Sequence, residues 1–120
     1  MTNLQMMRST LFIFLFAGLF VSCTSDREEV PQIEVCDTLS SGYNANVKPI
    51  IQSNCAVSGC HQGSFQYGDF TKYSVVKSKV DQGTFRQKVL ITKEMPPSGT
   101  LNDIDLQILT CWVNKGAPNN

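Results

Sequence analysis

A chain of 120 residues, 42% of them hydrophobic, holds one small domain at most. Ten Lys and Arg balance ten Asp and Glu, which excludes the basic surplus of a nucleic-acid binder. Five cysteines in so short a chain are the feature that needs an account.

Arg8 precedes an apolar run from Leu11 to Val21, and Ser22-Cys23 follows it. Eleven residues are too few to cross a hydrocarbon core, which takes about 20 helical residues, so the run reads as the apolar region of a secretory signal. Phe20-Val21-Ser22-Cys23 resembles a bacterial lipobox, in which the cysteine is acylated and becomes the first mature residue. The alternative is an ordinary signal peptide beside an unrelated cysteine. The chain then divides into a lipoprotein signal peptide (1–22), a polar acidic tether (23–36) and a domain (37–120). Asp26, Glu28, Glu29 and Glu34 make the tether a solvated spacer that holds the domain off a membrane, in the bacterial cell envelope on its periplasmic or outer-membrane side.

Val47, Ile50 and Ile51 recur at helical spacing ahead of Cys55, and Pro49 fits only in a first turn, so a short helix over Pro49–Asn54 is expected. Residues 62–70, rich in Gly and aromatics without periodicity, read as a loop around an apolar object. Thr71 is the expected cap of a helix from Lys72 to Val80, which Gly83 ends. A further helix is expected from Thr84 to Ile91, with Phe85, Val89 and Leu90 inward, before Met95-Pro96-Pro97-Ser98-Gly99 forces a loop. The last helix has the clearest signals: Asn102 as cap, Asp103 and Asp105 in the first turn, and Lys115-Gly116 then Pro118 at its end. Ile104, Ile108, Leu109, Cys111, Trp112 and Val113 form its apolar face.

Cys55-Ala-Val-Ser-Gly-Cys60-His61 carries the chemistry. Two thiols followed at once by an imidazole form the arrangement that attaches haem, each sulfur adding to one vinyl group while the imidazole ligates the iron. The common spacing leaves two residues between the thiols and this one leaves four, adding roughly 7 Å of contour that must loop out. Cys36 and Cys111 remain, and in an exported chain they read as a disulfide closing a loop of about 75 residues. Two free thiols are the alternative. His61 is the only histidine, so a four-ligand zinc site would have to recruit both distant cysteines, and a Cys55–Cys60 disulfide beside an idle His61 is the plainer competitor.

Met95 is the only methionine outside the signal segment. Core filling is the usual role of such a residue. A loop position just before two prolines instead fixes a thioether in place, and a thioether opposite an imidazole raises a haem's reduction potential. Phe65, Tyr67, Phe70, Tyr73, Phe85 and Trp112 serve as pocket walls or as an ordinary aromatic core. Lys72, Lys77, Lys79, Arg86, Lys88 and Lys93 form either a docking rim for an acidic redox partner or a solvated face.

A short helix, Cys-x4-Cys-His, a wrapping loop, Met-Pro-Pro and a terminal helix ending Trp112-Val113-Asn114-Lys115-Gly116-Ala117-Pro118 together resemble the small class I c-type cytochrome domains of bacterial lipoproteins, over about Tyr43 to Pro118. The resemblance implies a mostly α, class I cytochrome c-like domain wrapped around one covalent haem c, with Cys55 and Cys60 attaching it and His61 and Met95 as proximal and distal ligands. It implies a lipid-anchored electron carrier rather than an enzyme, working with redox proteins of the envelope and bound to the membrane through Cys23. Two alternatives stand beside it: a five-coordinate haem sensor or peroxidase-like protein, and a cofactor-free, disulfide-stapled lipoprotein that binds other proteins.

Overall fold

The computed structural model describes residues 32–99 and 101–120; the signal segment, Cys23 and the tether up to residue 31 lie outside them. Among the described residues the chain is mostly helical, without strands. Helices α1 (Gln32–Thr38), α2 (Lys48–Asn54), α3 (Tyr73–Asp81) and α4 (Asp103–Asn114) follow in order, with π-helical segments at Tyr43–Val47 and Arg86–Ile91. None of these helices is long and apolar enough to cross a membrane.

The segment Tyr43–Val47 runs straight into α2, so the helical path begins six residues before Pro49 rather than at it. A proline ring clashes with the carbonyl four residues earlier in a regular α-helix. The wider π turn upstream meets that constraint, with the Val47 amide reaching five residues back to the Gly42 carbonyl at 3.2 Å. The C-terminal residue closes the other side of this turn: Asn120 accepts hydrogen bonds from the Tyr43 and Asn44 amides at 2.9 and 2.8 Å.

Helix α4 follows its sequence signals. Asn102 Oδ1 accepts from the Asp105 amide at 2.8 Å, satisfying a donor the first turn leaves unpaired. At the other end the Ala117 amide donates to the Trp112 carbonyl and the Gly116 amide to the Val113 carbonyl, the paired bonds of a Schellman stop. Leu109 and Trp112 are fully buried against Val47, Ile51 and Val76. Each such side chain contributes about 1.5–3 kcal/mol by leaving water. Trp112 also donates from its indole nitrogen to the Pro118 carbonyl at 2.9 Å, so its one polar atom is satisfied inside the core.

Helix α1 was not among the expected elements, and it spans the boundary drawn between tether and domain. It is held from outside itself. Cys36 bridges Cys111 on α4, with Cα atoms 5.2 Å apart, and Lys115 Nζ donates to the Cys36 carbonyl at 2.8 Å. The segment expected as a helix from Thr84 is π-helical over Arg86–Ile91; Phe85 and Val89 are buried as anticipated, and Leu90 is only partly so. Ile104 departs from expectation: it lies on the apolar side of α4 by periodicity, yet it is 65% exposed.

Candidate functional site

Helix α2 ends at Asn54 and delivers Cys55 as its C-cap, where the Cys55 amide still donates to Ile51 at 2.8 Å. The chain then turns back on itself. The His61 amide donates to the Cys55 carbonyl at 3.0 Å and the Cys60 amide to the Val57 carbonyl at 3.0 Å, so the surplus residues bulge outward as Ser58 and Gly59. Gly59, at φ +80°, occupies the third position of that four-residue turn, where a positive φ is needed. The four-residue spacing is thus absorbed locally, and both thiols stay on one closed loop with His61.

The two thiols are unbridged and differ in exposure: Cys55 is buried, Cys60 half-buried. Burial, and the nearby Cys60, push the Cys55 thiol up to about 11, so it stays protonated at neutral pH.

His61 is surrounded by the loop that follows it. Its Nδ1 lies 3.3 Å from the Gly68 carbonyl oxygen. A carbonyl can only accept, so Nδ1 is the protonated donor and Nε2 is left with its lone pair. Phe70 stacks on the imidazole at 3.9 Å between centroids and 14° between planes, and Phe65 meets it edge-on at 5.1 Å. Burial holds His61 below its ordinary pKa, the Gly68 carbonyl works against that, and Lys79 adds to the lowering. The imidazole is therefore the neutral form a metal requires.

The loop itself is pinned at both ends. The Gly68 amide donates to Phe65 at 2.9 Å and the Phe70 amide to His61 at 2.9 Å. Thr71 does not cap α3; Asp69 instead accepts from the Thr71 amide at 3.1 Å and its hydroxyl at 2.6 Å, and pairs with Lys72 at 3.4 Å.

Met95 lies on a different loop, after the Arg86–Ile91 segment. Its amide donates to the Lys88 carbonyl at 3.1 Å, which ties its loop to the Arg86–Ile91 segment, while its side chain is 38% exposed. Nearby, between that segment and α4, an open groove of about 360 Å³ is lined by Leu90, Lys93, Asp103, Leu106, Gln107 and Thr110. The structure thus brings Cys55, Cys60 and His61 together on one loop and places Met95 on another.

The aromatic residues divide in two. Tyr73, Phe85 and Trp112 belong to the core, joined by Tyr43, which packs 4.8 Å from Tyr73 and 5.6 Å from Trp112. Phe65 and Phe70 meet His61, Phe70 from within the core, and exposed Tyr67 packs edge-on against Phe65. Of the cations considered as a rim, Lys72, Lys77 and Lys88 pair with Asp69, Asp81 and Glu94, and Arg86 donates to Asn114. Gly68 was missed by sequence reasoning. The one available sign was an isolated glycine between aromatic residues in a loop. Among the described residues no three His, Cys, Asp or Glu side chains gather as a metal cluster. Compared with known proteins, the chain matches no family description, and no curated protein or solved structure is similar to it.

Proposed function

We propose that the chain is a lipid-anchored, mono-haem c-type cytochrome that carries single electrons at the cell envelope. One observation carries the reading: two unbridged thiols and a neutral imidazole whose Nδ1 is already engaged stand on one closed loop. This donor set fits a covalent haem. Cys55 and Cys60 would hold its two vinyl positions as thioethers, and His61 Nε2 is the free ring nitrogen for the iron. The haem, when bound, supplies an iron that cycles between ferrous and ferric.

The protein's own part is to hold and to shield. The buried side of the loop, with Cys55 and Ala56 joined to the core, keeps the attachment point from moving relative to α2. Exposed Ile91, Met95 and Ile104 leave apolar surface for which burial would be favourable, and a macrocycle is a group that can cover such surface. Met95 would be the second protein ligand of the iron in this reading. The acyl group on Cys23 would confine the carrier to the membrane surface, near redox proteins of the envelope.

The exposure of Met95 favours a second reading in which the iron is five-coordinate and binds a diatomic gas or peroxide. Two measurements separate these ideas. Covalent haem survives a denaturing gel, so the protein matured in an envelope that attaches haem is expected to stain, and an unstained band ends the cytochrome reading in favour of a cofactor-free lipoprotein. The reduced native protein is expected to ignore carbon monoxide; prompt binding supports the five-coordinate form.

A further inference from the structure

The turn from Phe65 to Phe70 is built around the ring of His61, and two of its residues, Gly68 and Phe70, touch that ring most closely. Gly68 presents the carbonyl that accepts from Nδ1 at 3.3 Å. It does so at φ +109°, in a region that side chains strain to adopt, and a Cβ there would stand 2.7 Å from Val75 Cγ1. A residue other than glycine therefore moves that carbonyl. Phe70 is buried, stacks on the imidazole at 3.9 Å, and is fixed by the hydrogen bond its amide donates to the His61 carbonyl. With a phenyl ring against one face, the imidazole cannot turn about its Cβ–Cγ bond without displacing a core residue. Phe65, edge-on at 5.1 Å, bounds it further.

We infer that Gly68 and Phe70 are positioning residues for His61: the glycine carbonyl selects the Nδ1–H tautomer and the phenylalanine sets the plane of the ring. The inference rests on the reading of His61 as the axial ligand and deepens it. A hydrogen bond from the far nitrogen makes the ligating nitrogen more basic, which favours ferric iron and lowers the potential. The ring plane, in turn, sets how the ligand's orbitals overlap the iron's, and so the spread of the haem methyl resonances in the ferric protein.

The test uses the full-length, haem-loaded protein in four forms: wild type, Gly68→Ala, Phe70→Leu and Phe70→Tyr. Haem staining on a denaturing gel reports the cofactor, and circular dichroism reports the fold. The midpoint potential and the ferric methyl resonances report His61 itself. Gly68→Ala is expected to raise the potential, and Phe70→Leu to shift and broaden the methyl resonances, while Phe70→Tyr keeps the wild-type pattern because it keeps the stacked ring. If Gly68→Ala does not fold, the contrast between Phe70→Leu and Phe70→Tyr decides. Stained, folded variants with wild-type potential and wild-type resonances would overturn the inference while leaving the haem reading intact. An unstained wild type overturns both.

Discussion

His61 is held at its ring by a carbonyl 3.3 Å away and a phenyl 3.9 Å away, and its backbone is bonded both to Cys55 and to Phe70. Met95 has one backbone bond, to Lys88, and is 38% exposed. The difference extends along the two loops. Residues 55–70 fold back on α2 and join the core through Cys55, Ala56 and Phe70, whereas residues 92–99 are exposed except for Pro96 and include Lys93 at φ +53°. Half of the proposed ligand set is organised by the chain alone.

The Cys36–Cys111 bridge underlies both regions, because it ties the start of the domain to α4, on which each depends. Replacing both cysteines with serine is expected to lower stability by on the order of 4 kcal/mol, the chain-entropy figure for a loop of this length. Urea unfolding measures it, and a loss under about 1 kcal/mol would mean that packing rather than the bridge sets the frame.

Met95→Ala separates the two loops. Truncating a half-exposed side chain outside the core is expected to cost under about 1 kcal/mol. In the haem-loaded protein it should lower the potential and allow prompt carbon monoxide binding while leaving the haem stain unchanged. An unchanged spectrum and potential would remove Met95 from the iron.

Hydrogen exchange reads the contrast directly. The amides of His61, Gly68 and Phe70 all donate within the loop and should be slow, whereas those of Lys93, Glu94 and Ser98 make no described hydrogen bond and should be fast. Equal rates would erase the comparison.

The smallest effect is one of acid. The Thr71 hydroxyl and amide, with Lys72, hold the Asp69 carboxyl below its ordinary value of 3.8. A carboxylate depressed in the folded state stabilises above its unfolded pKa and loses that contribution as pH falls through the folded one. Protection of the 61–70 loop should therefore be flat from neutral pH down to about 4 and decline only below it. Asp69→Asn should abolish that decline.

Much of this was legible in the chain. The cap at Asn102, the acidic first turn and the glycine stop describe α4 because each satisfies a local backbone demand that sequence displays. Cysteine arithmetic paired Cys36 with Cys111 without geometry. Helix α1 was hidden because its support is tertiary: a seven-residue helix gains little from propensity, and this one is held by a bridge and by Lys115. Ile104 misled for the opposite reason, since periodicity assigns a side but cannot say whether anything covers it. Around His61 the motif pointed to the imidazole, while the Gly68 carbonyl that meets its ring is backbone and leaves no mark on side-chain pattern.

The central claim is that two thiols are reserved for haem and two for a bridge. Alkylation of the denatured, haem-matured protein with one reagent, then reduction and alkylation with a second, followed by peptide mass measurement, tests it. The account predicts that Cys36 and Cys111 take up only the second label, while Cys55 and Cys60 refuse both because they are thioethers on one haem-bearing peptide that includes His61. Label on all four of these cysteines would contradict it.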